Sequence, residues 1–87
     1  MDSQIDFGIA LVALKSGKRV SRAGWNGKGM FLFLVDEWSF DVDLPATDPL
    51  NKCHPQDFIC MKTANDSIVP WLASQTDILA KDWTIVG

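Results

Sequence analysis

The stretch from Gly24 to Val35 constrains the fold of this chain more than any other part of its 87 residues. It begins with the loop Gly24-Trp25-Asn26-Gly27-Lys28-Gly29 and continues into the apolar run Met30-Phe31-Leu32-Phe33-Leu34-Val35. Glycine permits a sharp turn and a close approach of backbone to a ligand, and a continuous apolar run is typical of a strand buried on both faces. Trp25 therefore has two interpretations: it folds back onto the core of a hairpin, or it stacks on a flat ligand.

Local signals place a helix before this stretch. Asp6 is a candidate N-cap, apolar residues from Phe7 to Leu14 recur at helical spacing, and Gly17 suits the position that follows a helix end. Ile9 and Val12 lie off the main apolar stripe, so this helix is apolar on more than one face.

Further signals predict strands over 19–22, 58–63, 68–71 and 82–86, with a turn at Asn65-Asp66. Alternation over 38–44 predicts another strand, followed by a long loop. Ser74 and Asp77 have capping-box spacing and predict a short helix over 75–80. We therefore expect one α+β domain over residues 1–87, with an N-terminal helix, a mostly antiparallel β-sheet and a short second helix near the C-terminus.

Composition restricts the partners of such a domain. Hydrophobic residues make up 47% of the chain, with four Trp and five Phe, which is more apolar area than a small core can hide. A homo-oligomer is therefore expected. The net charge of −3 and the lack of a basic run argue against DNA or RNA binding. No apolar run or leader indicates a membrane, and Cys53 and Cys60 are expected to be reduced thiols.

The sequence shows no convincing catalytic group. Ser74 lacks the strand-turn-helix elbow of a hydrolase nucleophile, and a capping role accounts for it. The glycine loop lacks the length and the trailing Ser or Thr of a P-loop. We therefore expect no catalytic residue and no cofactor. We also expect no metal site, because Cys53 and Cys60 lack zinc-ligand spacing.

A second aromatic block, from Pro70 to Asp77, points to ligand binding. Trp71 stands just before a helix N-terminus, where unpaired N–H groups favour anions. An aromatic plate beside such a terminus resembles a nucleotide site. The alternative is that Trp71 belongs to the core and Ser74 only caps the helix.

At this point the residues resemble a known family, the second phage anti-defence family described against the bacterial Thoeris system. Several blocks carry the resemblance over most of the chain outside 36–60: Phe7-Gly8, Ala10-Leu11, Leu14-Lys15, Gly17-Lys18, Arg22, Gly24 to Met30, Met61 to Ala64, Ile68 to Asp77, Leu79-Ala80 and Asp82-Trp83. The departures are the segment 54–60, where the family often has a Pro-His pair, the turn Asn65-Asp66, where Asp-Gly is common, and the segment 36–52, which matches no family pattern.

The resemblance implies a homotetrameric sponge that binds cyclic ADP-ribose isomers between protomers, without cleavage, in the cytoplasm of the infected bacterium. Some members also bind cyclic dinucleotides at separate sites. With the chemistry of the side chains, it indicates ten ligand-binding residues: Arg22, Trp25, Asn26, Lys28, Met30, Phe31, Trp71, Ser74, Gln75 and Asp77. Stacking is expected from the two Trp, phosphate contacts from Arg22 or Lys28, and hydrogen bonds from Asn26, Gln75 and Asp77. Met30 and Phe31 would form an apolar floor.

A different class of function remains open. The excess of apolar surface also fits a module that binds a host defence protein directly and inhibits it.

Overall fold

The computed structural model describes residues 4–25, 29–36, 45, 47–54 and 56–86. Its first helix, α1, spans Phe7–Lys15, and the side chain of Asp6 caps it by accepting a hydrogen bond from the N–H of Ile9. Gly17 follows the helix with φ of +86°, a left-handed conformation that glycine adopts without strain. The predicted start and end of this helix are both confirmed.

Five antiparallel strands form one sheet: β1 (Arg19–Arg22), β2 (Phe31–Val35), β3 (Phe58–Lys62), β4 (Ile68–Pro70) and β5 (Trp83–Val86). The strand order is β4-β3-β2-β1-β5. A second helix, α2 (Gln75–Leu79), precedes β5. The predicted α+β class is confirmed, and Pro70 ends an edge strand as a residue without an N–H should.

Two parts of the sequence prediction differ in outcome. The predicted long loop contains a 3-10 helix, Pro49–Lys52, which begins where the side chain of Asp48 accepts from the N–H of Leu50. The strand predicted over 38–44 lies outside the described residues. The predicted turn at Asn65-Asp66 is confirmed, and Asp66 there adopts φ of +65°.

The strand registers divide the sheet into two faces. Val20 pairs with Leu32 and Leu32 with Met61, so these side chains share one face. Helix α1 packs on that face through Ala10, Ala13 and Leu14. Because neighbouring residues of a strand point to opposite sides, the other face carries Phe31 and Phe33. Their rings contact each other, and the guanidinium of Arg19 lies 4.7 Å from the ring centroid of Phe31.

Trp83 lies at the centre of the core on the helix-covered face. It is fully buried, together with Leu14, Val20 and Leu32. Its backbone also exchanges two hydrogen bonds with Ile5, so the segment before α1 is attached to β5. Within the described residues, no helix has the length and apolar character needed to cross a membrane.

The conformation of Gly17 gives a test of the helix end. Gly17→Ala is expected to lower the free energy of unfolding by about 1–2 kcal/mol, because an L side chain is strained at this backbone conformation although no atom lies within 4 Å of the added Cβ. Gly17→Asn should cost less, since Asn tolerates the left-handed region. Urea unfolding measures both, and an Ala variant as stable as the parent would contradict the assignment.

Candidate ligand-binding site

Three tryptophans and Phe7 form a contiguous aromatic cluster that packs on the core. Trp25 and Trp71 both contact Trp83 in edge-to-face geometry, with ring centroids 5.5 and 6.0 Å from it. Phe7 contacts Trp83 at 5.3 Å and Trp71 at 5.9 Å. Such pairs contribute about 0.5–1.5 kcal/mol each beyond the burial of their area. Trp25 and Trp71 are half-buried, so each is held by the core and still presents surface outside it.

Arg22 joins three segments beside this cluster. Its Nε donates to Oδ1 of Asp82 and its Nη1 donates to Oδ1 of Asp77, both at 2.9 Å. The other carboxylate oxygen of Asp82 accepts from the N–H of Gly24 at 3.2 Å. One guanidinium therefore connects the end of β1, helix α2 and the residue before β5, and Asp82 in turn holds the start of the Trp25 loop.

The side chains of Ser74 and Asp77 cap part of the N-terminal end of α2. Oγ of Ser74 accepts from the N–H of Asp77, and Oδ2 of Asp77 accepts from the N–H and the hydroxyl of Ser74, which confirms the predicted capping box. The helix has only five residues and carries an acidic side chain in its first turn. Its dipole is therefore a weaker attraction for an anion than the sequence suggested. The box does not engage the N–H groups of Gln75 and Thr76.

These contacts shift the pKa values of the three charged groups. Hydrogen bonds from Arg22 hold the pKa of Asp82 below its usual range, against the opposing effect of burial. Burial would raise the pKa of Asp77, but the hydrogen bonds from Arg22 and Ser74 outweigh it and the pKa is lowered. The hydrogen bonds to Asp82 and Asp77 raise the pKa of Arg22. At neutral pH the trio carries one positive and two negative charges.

The remaining predicted site residues do not all lie beside the aromatic cluster and the Arg22 network. Gln75 is exposed at the start of α2, and Met30 is half-buried just before β2. Phe31 lies on the opposite face of the sheet from Trp83, as the strand registers require. Asn26 and Lys28 lie outside the described residues. Six of the predicted ligand-binding residues therefore belong to the aromatic cluster, the Arg22 network or the start of α2, and their contact with a ligand stays a prediction: Arg22, Trp25, Trp71, Ser74, Gln75 and Asp77.

Sequence reasoning missed two residues that organise the site. Asp82 and Trp83 were predicted only as the start of the last strand, yet Asp82 holds Arg22 and Trp83 supports both outer indoles. The indole Nε1 of Trp83 also donates to the carbonyl of Asp77 at 2.9 Å. A buried indole N–H usually finds a hydrogen-bond partner. The available signal for the Arg22 contact was Asp82, the acidic residue directly before Trp83.

Metal chemistry has no support in the described part of the chain. Over those residues, no group of three or more His, Cys, Asp or Glu side chains is placed to hold a metal ion. Cys53 and Cys60 are free thiols; Cys53 is exposed and Cys60, in β3, is buried.

The lowered carboxylate pKa values give a pH-dependent prediction for stability. Arg22→Gln is expected to lower the free energy of unfolding at neutral pH, and this loss should be smaller at about pH 2.5, because the pKa values of Asp77 and Asp82 are lowered in the folded state. An unfolded Asp titrates near about 3.9, so pairing with Arg22 stabilises the fold fully above that pH. The stabilisation is lost as pH falls through the lower folded-state values.

Urea unfolding at both pH values measures the difference between the parent and Arg22→Gln. Arg19→Gln is the matched control, because it removes the same charge from an exposed guanidinium that lies over Phe31. A difference for Arg22→Gln that stayed constant down to about pH 2.5 would contradict the assigned pairing.

Comparison with known proteins identifies the family of the chain. Residues 5–86 match the profile of the family described as the Thoeris anti-defense 2-like domain. The chain is also 44% identical, over an 89-residue alignment that covers all of both chains, to a Bacillus phage SP01 protein named Thoeris anti-defense 2. Membership of this family supports an anti-defence role. The chain belongs to the Thoeris anti-defense 2-like family.

Proposed function

We propose that this protein binds cyclic signalling nucleotides and holds them without cleavage, so that a bacterial defence effector stays inactive in the cytoplasm of the infected host. Cyclic ADP-ribose isomers such as glycocyclic ADP-ribose are the expected ligands, and cyclic di- or oligonucleotides are the second class. Family membership supports the anti-defence part of this proposal. The observation that carries the ligand class is the pair of half-buried indoles, Trp25 and Trp71, fixed on Trp83.

The energetics of sequestration are compatible with such a site. A sponge must outcompete the receptor of the signal, which requires nanomolar affinity, or about −12 kcal/mol. Stacking on Trp25 or Trp71 could contribute roughly 1–3 kcal/mol per base. Because both rings already pack against Trp83, little of that gain is spent on ordering them.

Most hydrogen bonds to the phosphate groups of the ligand would come from donors that are not already bound to carboxylates. Two of its five N–H donors are directed at carboxylates. Lys28, the remaining N–H groups of Arg22 and the backbone near Gln75 are the candidates for this contact. A second protomer could supply more, since the pockets of the family are expected between protomers.

A binding role without catalysis is consistent with the chemistry of the described site. The hydroxyl of Ser74 is hydrogen-bonded to Asp77 at 3.0 Å. The lowered pKa of Asp77 makes it a weak base at neutral pH, whereas an effective general base has a pKa near the working pH. Asp77 is therefore suited to cap α2 and hold Arg22 rather than to activate Ser74.

Calorimetry with glycocyclic ADP-ribose tests the proposal. We expect nanomolar binding and, after heat denaturation, recovery of chemically unchanged ligand, as judged by chromatography and mass spectrometry. Recovery of a chemically altered ligand would contradict sequestration and indicate an enzyme. An absence of binding to this probe and to cyclic dinucleotides would reject the ligand class.

Variants of the two indoles locate the site. Trp25→Leu and Trp71→Leu are expected to weaken binding by about tenfold, since they remove a stacking surface. Phe33→Leu is the control, because it removes an aromatic ring from the opposite face of the sheet. Equal losses in all three variants would point to general destabilisation, which a thermal melt checks independently.

We also expect a homo-oligomer, a tetramer in particular. Several apolar side chains are exposed on the single chain, including Val12 at 63%, Leu72 at 93% and Leu79 at 73%. Burial of such area on association is favourable. Sedimentation velocity at micromolar concentration should give the tetramer, and a monomer would reject the prediction. Val12→Glu tests α1, with Ala64→Glu in an exposed turn as the control for added charge.

The exposed apolar residues also favour the alternative, direct inhibition of a host defence protein. Leu72 and Leu79 flank α2 and could contact a protein partner. A tagged protein recovered from host lysate should carry the nucleotide and no stoichiometric protein if it is a sponge. A defined host protein bound one to one, with no nucleotide, would favour the alternative.

A further inference from the structure

We infer that Arg22 and Asp82 are positioning residues, which fix residues 23–25 against the N-terminal end of α2 and so preorganise Trp25 for the ligand. This inference rests on the proposed function. It assigns Arg22 a role different from the direct phosphate contact that its charge suggests.

The first support is the geometry around Asp82. One carboxylate oxygen accepts from Nε of Arg22 at 2.9 Å, and the other accepts from the N–H of Gly24 at 3.2 Å. The carbonyl of Asp82 also accepts from the N–H of Ala23 at 3.0 Å. Asp82 therefore holds the two residues that immediately precede Trp25, through both its side chain and its backbone.

The second support is the direction of the other Arg22 contact. Nη1 reaches Asp77, whose remaining oxygen is held by Ser74 and whose carbonyl accepts from the indole of Trp83. A planar guanidinium directs its N–H donors at two acceptors in a fixed geometry. Arg22 thus links the start of the Trp25 loop to the helix end that carries Gln75. Trp83, which is fully buried, supports that helix end from the core.

The third support is the local charge. The side chains of Arg22, Asp77 and Asp82 are only 19%, 17% and 28% exposed, and together they carry one excess negative charge. A phosphate placed on Arg22 would approach two carboxylates as well. Charge alone therefore favours fixing the loop over binding an anion at this guanidinium.

Asp82→Asn separates the two roles. Asn replaces one carboxylate oxygen by an NH₂ donor, so it cannot accept from Arg22 and Gly24 on two separate oxygens as Asp82 does. A positioning role predicts that affinity for glycocyclic ADP-ribose falls by about tenfold or more, although a negative charge near an anionic ligand has been removed. Direct phosphate binding by Arg22 predicts unchanged or tighter binding, and that result would overturn the inference.

Asp66→Asn is the matched control. It removes the same charge from another ion-paired carboxylate, 2.7 Å from Nζ of Lys62 in the turn between β3 and β4. Its affinity for the probe should equal that of the parent protein. Arg22→Lys is the second test: it retains the charge, but one ammonium cannot reproduce the fork, so we expect it to bind more weakly than the parent.

Amide hydrogen exchange in the ligand-free protein provides a readout that general destabilisation would not reproduce. Asp82→Asn should accelerate exchange at Gly24 and Trp25 while Val20 and Leu32, both in the core, keep their protection. Exchange at Gly24 and Trp25 equal to that of the parent would overturn the inference even if the parent bound no probe. A parent protein that fails to bind the probe rejects the proposed function separately.

Discussion

The structure depends on the burial of Trp83 at the start of the last strand. Its ring is the shared contact of Phe7, Trp25 and Trp71, and its backbone pairs with Ile5. In a domain of this size a single large side chain supplies a considerable share of the core. The cost of burying the indole N–H is offset by the carbonyl of Asp77. The same residue thus closes the core and supports the outer indoles of the proposed site.

A charged network of Arg22, Asp77 and Asp82 lies beside this aromatic centre and fixes the relative positions of the segments around it. Aromatic packing tolerates some sliding, whereas the Arg22 fork requires Asp77 and Asp82 at defined positions. Its three members come from β1, α2 and the residue before β5. The network therefore relates segments that local structure alone would leave loosely connected.

The sequence predicted those parts of the fold whose cause is local. The cap at Asp6, the left-handed Gly17 and the capping box from Ser74 each depend on residues within four positions. The turn after β3 follows the same rule. Asp66 adopts the left-handed conformation there and forms an ion pair with Lys62. That ion pair lowers the pKa of Asp66.

Contacts between residues far apart in the chain could not be predicted from the sequence. Arg22 looked like a phosphate ligand because its charge was visible, while its two carboxylates stand 55 and 60 residues further along the chain. The pairing of β5 with β1 creates that arrangement. The alternation of side chains in β2 likewise sends Phe31 to the face opposite Leu32, so a place for Phe31 in the same site would require a second protomer.

For a protein proposed to act by holding a ligand, this rigidity has a functional meaning. A sponge gains nothing from a transition state, so its activity is the ground-state affinity itself. Affinity is reduced by the ordering of side chains and loops on binding. Trp25 and Trp71 are ordered beforehand by Trp83, and the inferred role of Arg22 and Asp82 extends that order to the backbone of Ala23 and Gly24. Arg22 would then contribute to affinity most by binding carboxylates of its own chain.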